Sequence, residues 1–156
     1  VMNARDRLGL QGGIKSDAAP LNGLAEAALK VPGVRAMRDI TRGGLATVLN
    51  EVSEACGLTA ELDEAAVPVS AAARNACALL GLDPLYVANE GKIAVFCAAA
   101  AAPRVLKALR GHRYGRNAAV VGRMLKEKKA QVRLVTAIGG SRILLMLEGE
   151  QLPRIC

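Results

Sequence analysis

The stretch that decides the fold is MRDITRGGLATVLNE, residues 37–51. An extended, partly apolar entry runs into a polar loop that ends in two glycines. A helical pattern begins at once, with Leu45, Val48, Leu49, Val52 and Cys56 recurring on one face. Gly57 then stops the helix. Strand, glycine loop and helix in immediate succession leave backbone amides at a helix N-terminus with no side chain at Gly43 or Gly44, which suits an oxyanion or a phosphate. Arg38 and Arg42 add positive charge, and Asp39 could hold a metal or fix the loop. The same spacing also fits an ordinary strand-to-helix turn capped by Asp39 or Thr41. No GxxxxGK occurs, so the loop is not a P-loop.

Working outward, SDAAPLNGLAEAALK begins with a Ser-Asp capping signal and places Leu21, Leu24, Ala25, Ala28 and Leu29 at helical spacing. VRAM is a short extended piece. LTAELD alternates like a half-buried strand. Ser70 caps an alanine-rich helix that Gly81 ends, KIAVFCA reads as a buried strand, and PRVLKALRG as a helix with Pro103 in its first turn. After His112 the pattern changes to three strands, in NAAVVGRML, QVRLV and RILLML, joined by charged or Gly-rich turns. Strands alternating with helices and closing in strands predict an α+β fold, one mixed sheet with helices packed on it.

The composition narrows the function classes. The chain has 156 residues, 52% of them apolar but only 2% aromatic, so its core is aliphatic. No apolar run reaches the roughly 18 to 20 residues of a membrane span, and residues 1–10 lack the order of a signal peptide. Val1 at the start, with Met2 in an apolar triplet that could be half a strand, suggests a cut through a longer protein. The net charge of +7 points to an anionic partner. The positive residues are scattered, however, and the densest run, RMLKEKKAQVR, has no aromatic and reads as a solvated turn, which argues against nucleic acid. Four cysteines without a CxxC, beside a single histidine, do not match the common zinc spacings. His112 reads as a helix C-terminal cap rather than a base.

Two further places could carry chemistry. In GLDPLYVANEGKIAVF, Asn89 and Glu90 sit just before Gly91 and a strand, where a held carboxylate can act as a general base, though an ordinary Asn-Glu turn is the commoner outcome of such a pattern. Cys56, Cys77 and Cys97 fall on apolar faces and read as small hydrophobes. Cys156 does not. It ends the chain in QLPRIC, and Pro153 keeps Leu152 out of the helical region, so an extended, flexible tail is expected. The last seven residues span on the order of 23 Å when extended, enough for a thiol that travels between two sites. An incidental cysteine at a frayed end is the alternative.

SDAAPLNGL, MRDITRGGLATVLNE, GLDPLYVANEGK, TAIGGSRI and GEQLPRIC together resemble the C-terminal half of the HypE family, maturation factors of nickel-iron hydrogenases. The Asp-x-Thr-x-Gly-Gly loop is shared more widely among PurM-like (AIR synthase-related) ATP-using enzymes, whereas the terminal LPRIC is specific to this branch. The resemblance implies a PurM C-terminal-type domain over residues 1–149 and a tail over 150–156, with the family's N-terminal ATP-binding domain absent. It implies a carbamoyltransferase partner, HypF, that loads a carbamoyl group onto Cys156. ATP-dependent dehydration to a thiocyanate follows, with ATP and Mg2+ held mainly by the N-terminal domain, and the cyanide passes to iron on a HypC–HypD complex. Cys156 and Glu90 are the catalytic candidates it implies, with Asp39, Thr41, Arg42, Gly43, Gly44 and Asn89 binding phosphate or substrate and no resident metal in this half. A cytoplasmic location and homodimerisation of the full-length form are further implications. The family has proline where Ile40 stands and aspartate where Leu145 stands. Two rival readings are another PurM-like enzyme acting on a small molecule, and a non-catalytic docking module whose tail is a peptide ligand.

Overall fold

The computed structural model describes residues 16–147. The terminal stretches, with Met2, the tail and Cys156, lie outside the described residues.

The element order is α1 (Asn22–Leu29), β1 (Val34–Asp39), α2 (Gly44–Cys56), β2 (Thr59–Asp63), α3 (Ala71–Leu80), β3 (Ile93–Cys97), α4 (Ala102–Arg110), β4 (Gly122–Leu125), β5 (Val132–Val135) and β6 (Ser141–Leu144). The α+β expectation holds, and the sheet formed by the later strands is mixed. Among the described residues, however, the strands divide between two sheets instead of forming one. β1 and β3 make an antiparallel ribbon, while the other four lie in the order β4-β2-β5-β6. In that sheet β2 runs antiparallel to β4 and parallel to β5. The charged run between β4 and β5 is therefore not a turn between neighbours. It arches over the start of β2, where the buried Thr59 hydroxyl donates to the Lys129 carbonyl at 2.7 Å and Ala60 N–H to that of Gln131 at 2.9 Å.

Each sheet has its own core. Alternation points Ala60 and Leu62 of β2, Val132 and Leu134 of β5 and Leu144 of β6 to one face, where they meet Ala46 and Leu49 of α2 and Leu85. The ribbon packs Val34, Met37, Ile93 and Val95 against Leu24 and Ala28 of α1 and Val105 and Leu109 of α4. β3 is thus half-buried along its length and not the buried strand its apolar run predicts.

Several local expectations hold. Ser70 Oγ accepts from Ala73 N–H at 3.2 Å at the start of α3. Gly57 and Gly81 close α2 and α3 in the left-handed conformation. Others are corrected. α1 starts at Asn22 without a side-chain cap, since Ser16 Oγ accepts from Ala18 N–H in a separate turn, and Leu29 is exposed. On α2 the buried stripe is Ala46, Leu49 and Ser53 with Val48. That rotates Cys56 into solvent, so it is no core hydrophobe. His112 lies after α4, but its Nδ1 accepts from Tyr114 N–H at 3.3 Å and its ring packs on Gly23. The C-terminal cap of α4 is the Gly111 N–H.

Candidate functional site

β1 ends at Asp39, and its pairing with β3 continues past the last strand residue. Ile40 N–H donates to the Lys92 carbonyl at 3.1 Å, and Asn89 N–H to the Ile40 carbonyl at 2.7 Å. These two bonds tie the 39–44 loop to the 89–92 turn, so the two motifs read separately from the sequence form one place. A third segment joins them. A Cβ on Gly91 would stand 1.6 Å from the Asp17 carbonyl, so the 16–19 segment crosses directly over that glycine.

The loop then turns through two left-handed residues, Gly43 (φ +76°) and Gly44 (φ +64°). Position 44 requires glycine twice over: besides its φ, a Cβ there would meet Leu85 O, Tyr86 C and Val87 O at 2.5–2.8 Å. Gly43 is the N-cap of α2, and no side chain caps the first turn. Asp39 and Thr41 therefore do not cap the helix; Thr41 instead accepts Gly44 N–H on its main-chain carbonyl at 3.0 Å. An uncapped helix start with backbone amides at its mouth suits a phosphoryl oxygen in chemistry, although Gly43 and Gly44 are themselves buried, with Thr47 and the 85–87 backbone beside them. Thr47 Oγ1, against which a Cβ on Gly43 would press, is buried without a hydrogen-bond partner among the described residues.

Of the remaining candidates, Asp39, Arg42 and Glu90 are exposed and Asn89 is half-buried. Arg38, which the sequence sets beside the anion, is engaged by Glu51 of α2 at 2.6 Å. The cation joined to the turn is Lys92: its ammonium donates to Asn89 Oδ1 and stands 3.5 Å from Asp17 Oδ2. No group of three His, Cys, Asp or Glu among the described residues stands close enough to hold a metal ion, and no helix among them is long and apolar enough to cross a membrane.

The sequence reading missed Asp17, Lys92, Thr47 and Tyr86. The Tyr86 hydroxyl donates to the Leu145 carbonyl at 3.0 Å, and Asn50 Nδ2 donates to the Leu144 carbonyl at 3.1 Å. Burial, with Asp83 nearby, pushes the Tyr86 phenol up, which keeps it a protonated donor. The end of β6 is thereby fastened to the turn that packs on Gly44. Leu145 itself is exposed, so a side chain at this position reaches solvent.

The sequence pattern of the AIR synthase related protein, C-terminal domain, matches residues 4–135. The chain belongs to that family. Within it, the whole chain is 50% identical over 157 residues to the carbamoyl dehydratase HypE of Cupriavidus necator, covering 45% of that protein. It is 47% identical to the Azotobacter vinelandii protein of the same name, covering 46%. The chain spans about half the length of the curated relatives it matches. Its fold superposes on Escherichia coli HypE with a TM-score of 0.92 at 44% identity, covering 99% of this chain and 48% of that one. A HypE structure in complex with ATP gives 0.92 at 42% identity, over 99% and 48%. A HypE–HypF complex gives 0.86 at 37%, over 91% and 46%. The family membership and the PurM-like α+β fold expected from the motifs both hold.

Proposed function

We propose that this chain is the thiol-bearing half of a HypE-type carbamoyl dehydratase, supplying the cyanide ligand of nickel-iron hydrogenase. The observation that carries the reading is the stitching of the 39–44 loop, the 89–92 turn and the 16–19 segment at one uncapped helix start. The identity to HypE proteins along the whole of this chain, which is about half of theirs, supports it. In this reading HypF transfers a carbamoyl group to Cys156, giving a thiocarboxamide. ATP, with Mg2+, supplies a phosphoryl group to the amide oxygen and so converts a poor leaving group into phosphate. The two N–H protons leave, the C–O bond breaks, and a thiocyanate remains on sulfur. The ATP complex and the HypF complex of relatives support those two assignments. Transfer to a HypC–HypD complex and dimerisation through an N-terminal domain belong to the same proposal, as does the division into a 1–149 domain and a 150–156 tail.

The chain's own residues would divide the work. The first turn of α2, with Gly43 and Gly44, takes phosphoryl oxygen; Thr41 and Asn89 hold the loop and turn through main-chain bonds, and Asp39 and Arg42 of the loop are exposed. Glu90, solvent-accessible on the fastened turn, accepts a nitrogen proton. Leu147 is nine residues from Cys156. An extended segment of that length reaches roughly 30 Å, so a root held by Tyr86 leaves the thiol able to meet both the partner and its own site.

Mass spectrometry of the terminal peptide tests this, using a full-length protein that carries this chain as its C-terminal half, with HypF, carbamoyl phosphate and ATP. Cys156 should gain one carbamoyl group, then lose one water only when ATP can be used. Cys156→Ser should gain nothing. An unmodified Cys156, under conditions that load a HypE relative, would sink the reading.

A further inference from the structure

The half-exposed ammonium of Lys92 lies between two acceptors that belong to different segments. One is Asn89 Oδ1, three residues back; the other is Asp17 Oδ2, at 3.5 Å and 75 residues away. The opposite side of the same amide is committed too, because Asn89 Nδ2 donates to the Val87 carbonyl at 2.7 Å. That carbonyl is one of the three main-chain atoms that would meet a Cβ on Gly44. A continuous line therefore runs from Asp17 through Lys92 and Asn89 to the backbone that closes over the glycine loop. Glu90 lies between Asn89 and Lys92 in sequence, on the turn that this line fastens.

The line fixes a choice that the turn alone leaves open. Rotating the Asn89 amide by half a turn would aim its NH2 at the ammonium and its carbonyl at the Val87 carbonyl, so both contacts become repulsive. Lys92 thus selects one amide orientation, and Asp17 holds Lys92 in place. As a contribution to folding, such an exposed pair is worth little. Its position, on the residue before the candidate base and against the candidate anion loop, is what gives it consequence.

We propose that Lys92 and Asp17 are positioning residues for the dehydration step: they hold Asn89, and through it the Glu90-bearing turn, in register with the Gly43–Gly44 loop. The proposal rests on the functional reading above and adds to it two residues that would act through Asn89 without touching the reacting atoms. Loading of Cys156 does not require that register, because it takes place on the partner. Closing the 89–92 turn on the loop matters only when the loaded thiol returns.

The test uses the full-length protein with this chain as its C-terminal half, comparing the parent with Lys92→Met, Lys92→Arg and Asp17→Asn. Three quantities are read for each: the rate of Cys156 carbamoylation by HypF, kcat and KM for ATP in dehydration of the loaded protein, and Tm. Misplacement of a reacting group by about 1 Å can cost on the order of a hundredfold. Lys92→Met is therefore expected to lower dehydration kcat by roughly tenfold to a hundredfold, Asp17→Asn by less. Loading, KM for ATP and Tm should stay near parental, and Lys92→Arg, which keeps a cation that can reach Asn89 Oδ1, should recover most of the rate. Dehydration by Lys92→Met within about twofold of the parent overturns the role, as does an equal fall in loading and dehydration. A parent that loads but never dehydrates refutes the functional reading itself, and this role with it; a parent that dehydrates while Lys92→Met matches it refutes the role alone.

Discussion

Replacing Gly44 by alanine separates two costs that glycine usually hides together. The first is conformational: φ at Gly44 is +64°, a region that costs a residue with a Cβ roughly 1–2 kcal/mol. The second is spatial. The new methyl would stand 2.5 Å from Leu85 O, 2.7 Å from Tyr86 C and 2.8 Å from Val87 O. These are main-chain atoms, so no rotamer change relieves the contact; the 85–87 turn must move away from the loop. Overpacking of this kind costs about 1–3 kcal/mol. The two together give roughly 2–5 kcal/mol. With about 3 °C of Tm lost per kcal/mol in a chain of this size, the expected fall is on the order of 6–15 °C. Gly57 provides the control, because its φ is +68° and a Cβ there meets nothing within 4 Å. Gly57→Ala bears only the first cost, roughly 3–6 °C. Calorimetry of the two variants and the parent in one buffer reads the difference. Equal Tm losses for Gly44→Ala and Gly57→Ala would refute the claim that the 85–87 turn is locked onto the glycine loop.

Two further expectations concern the mixed sheet and α3. The Arg133 and Arg123 guanidiniums, hydrogen-bonded to Glu61, hold its carboxyl below the usual carboxylate range. Its stabilising effect is then complete above the unfolded value, about 4.3, and is lost as pH falls through the lowered folded value. Glu61→Gln should lower Tm at pH 7, and the gap should shrink steadily toward pH 3 in a thermal-melt series. A gap that stays constant, or widens, in acid contradicts the pairing of Glu61 with Arg133 and Arg123. Ser70→Ala removes the cap on Ala73 N–H and should cost about 1 kcal/mol, read as a small shift of the urea midpoint without a change in slope.

The sequence made legible whatever is written locally. The 37–51 stretch predicts its strand, glycine loop and helix because turn chemistry and helical period lie in adjacent residues. Ser70, Gly57 and Gly81 mark ends for the same reason. What it could not show depends on who lies across the contact. Cys56 shares a helical face with Val52, yet the sheet meets α2 on the neighbouring face, through Ala46, Leu49 and Ser53. Small and polar residues of that kind carry no period strong enough to announce it. KIAVFCA is apolar after Lys92, but its sole described neighbour is β1, so an apolar run did not mean burial on both faces. At the site, Asn89 and Glu90 were legible as a turn before a strand. Lys92 was not, because its meaning comes from Asp17, which arrives from far along the chain and leaves no local mark.

The arch from β4 to β5 over the start of β2 has a consequence in time. β2 is complete at Asp63, yet its first partner begins at Gly122 and its second at Val132. At roughly 5–20 residues per second of synthesis, the central strand of the sheet waits about 3–12 s on the ribosome before either neighbour exists. During that interval Ala60 and Leu62 have the apolar stripe of α2, and once it is made the turn at Leu85, to lie against, while both edges of β2 are open. The helix that presents the glycine loop is thus the first apolar surface that β2 can pack on. Changes that loosen Leu49 against β2 would then depress the yield of folded protein more than the stability of what has folded.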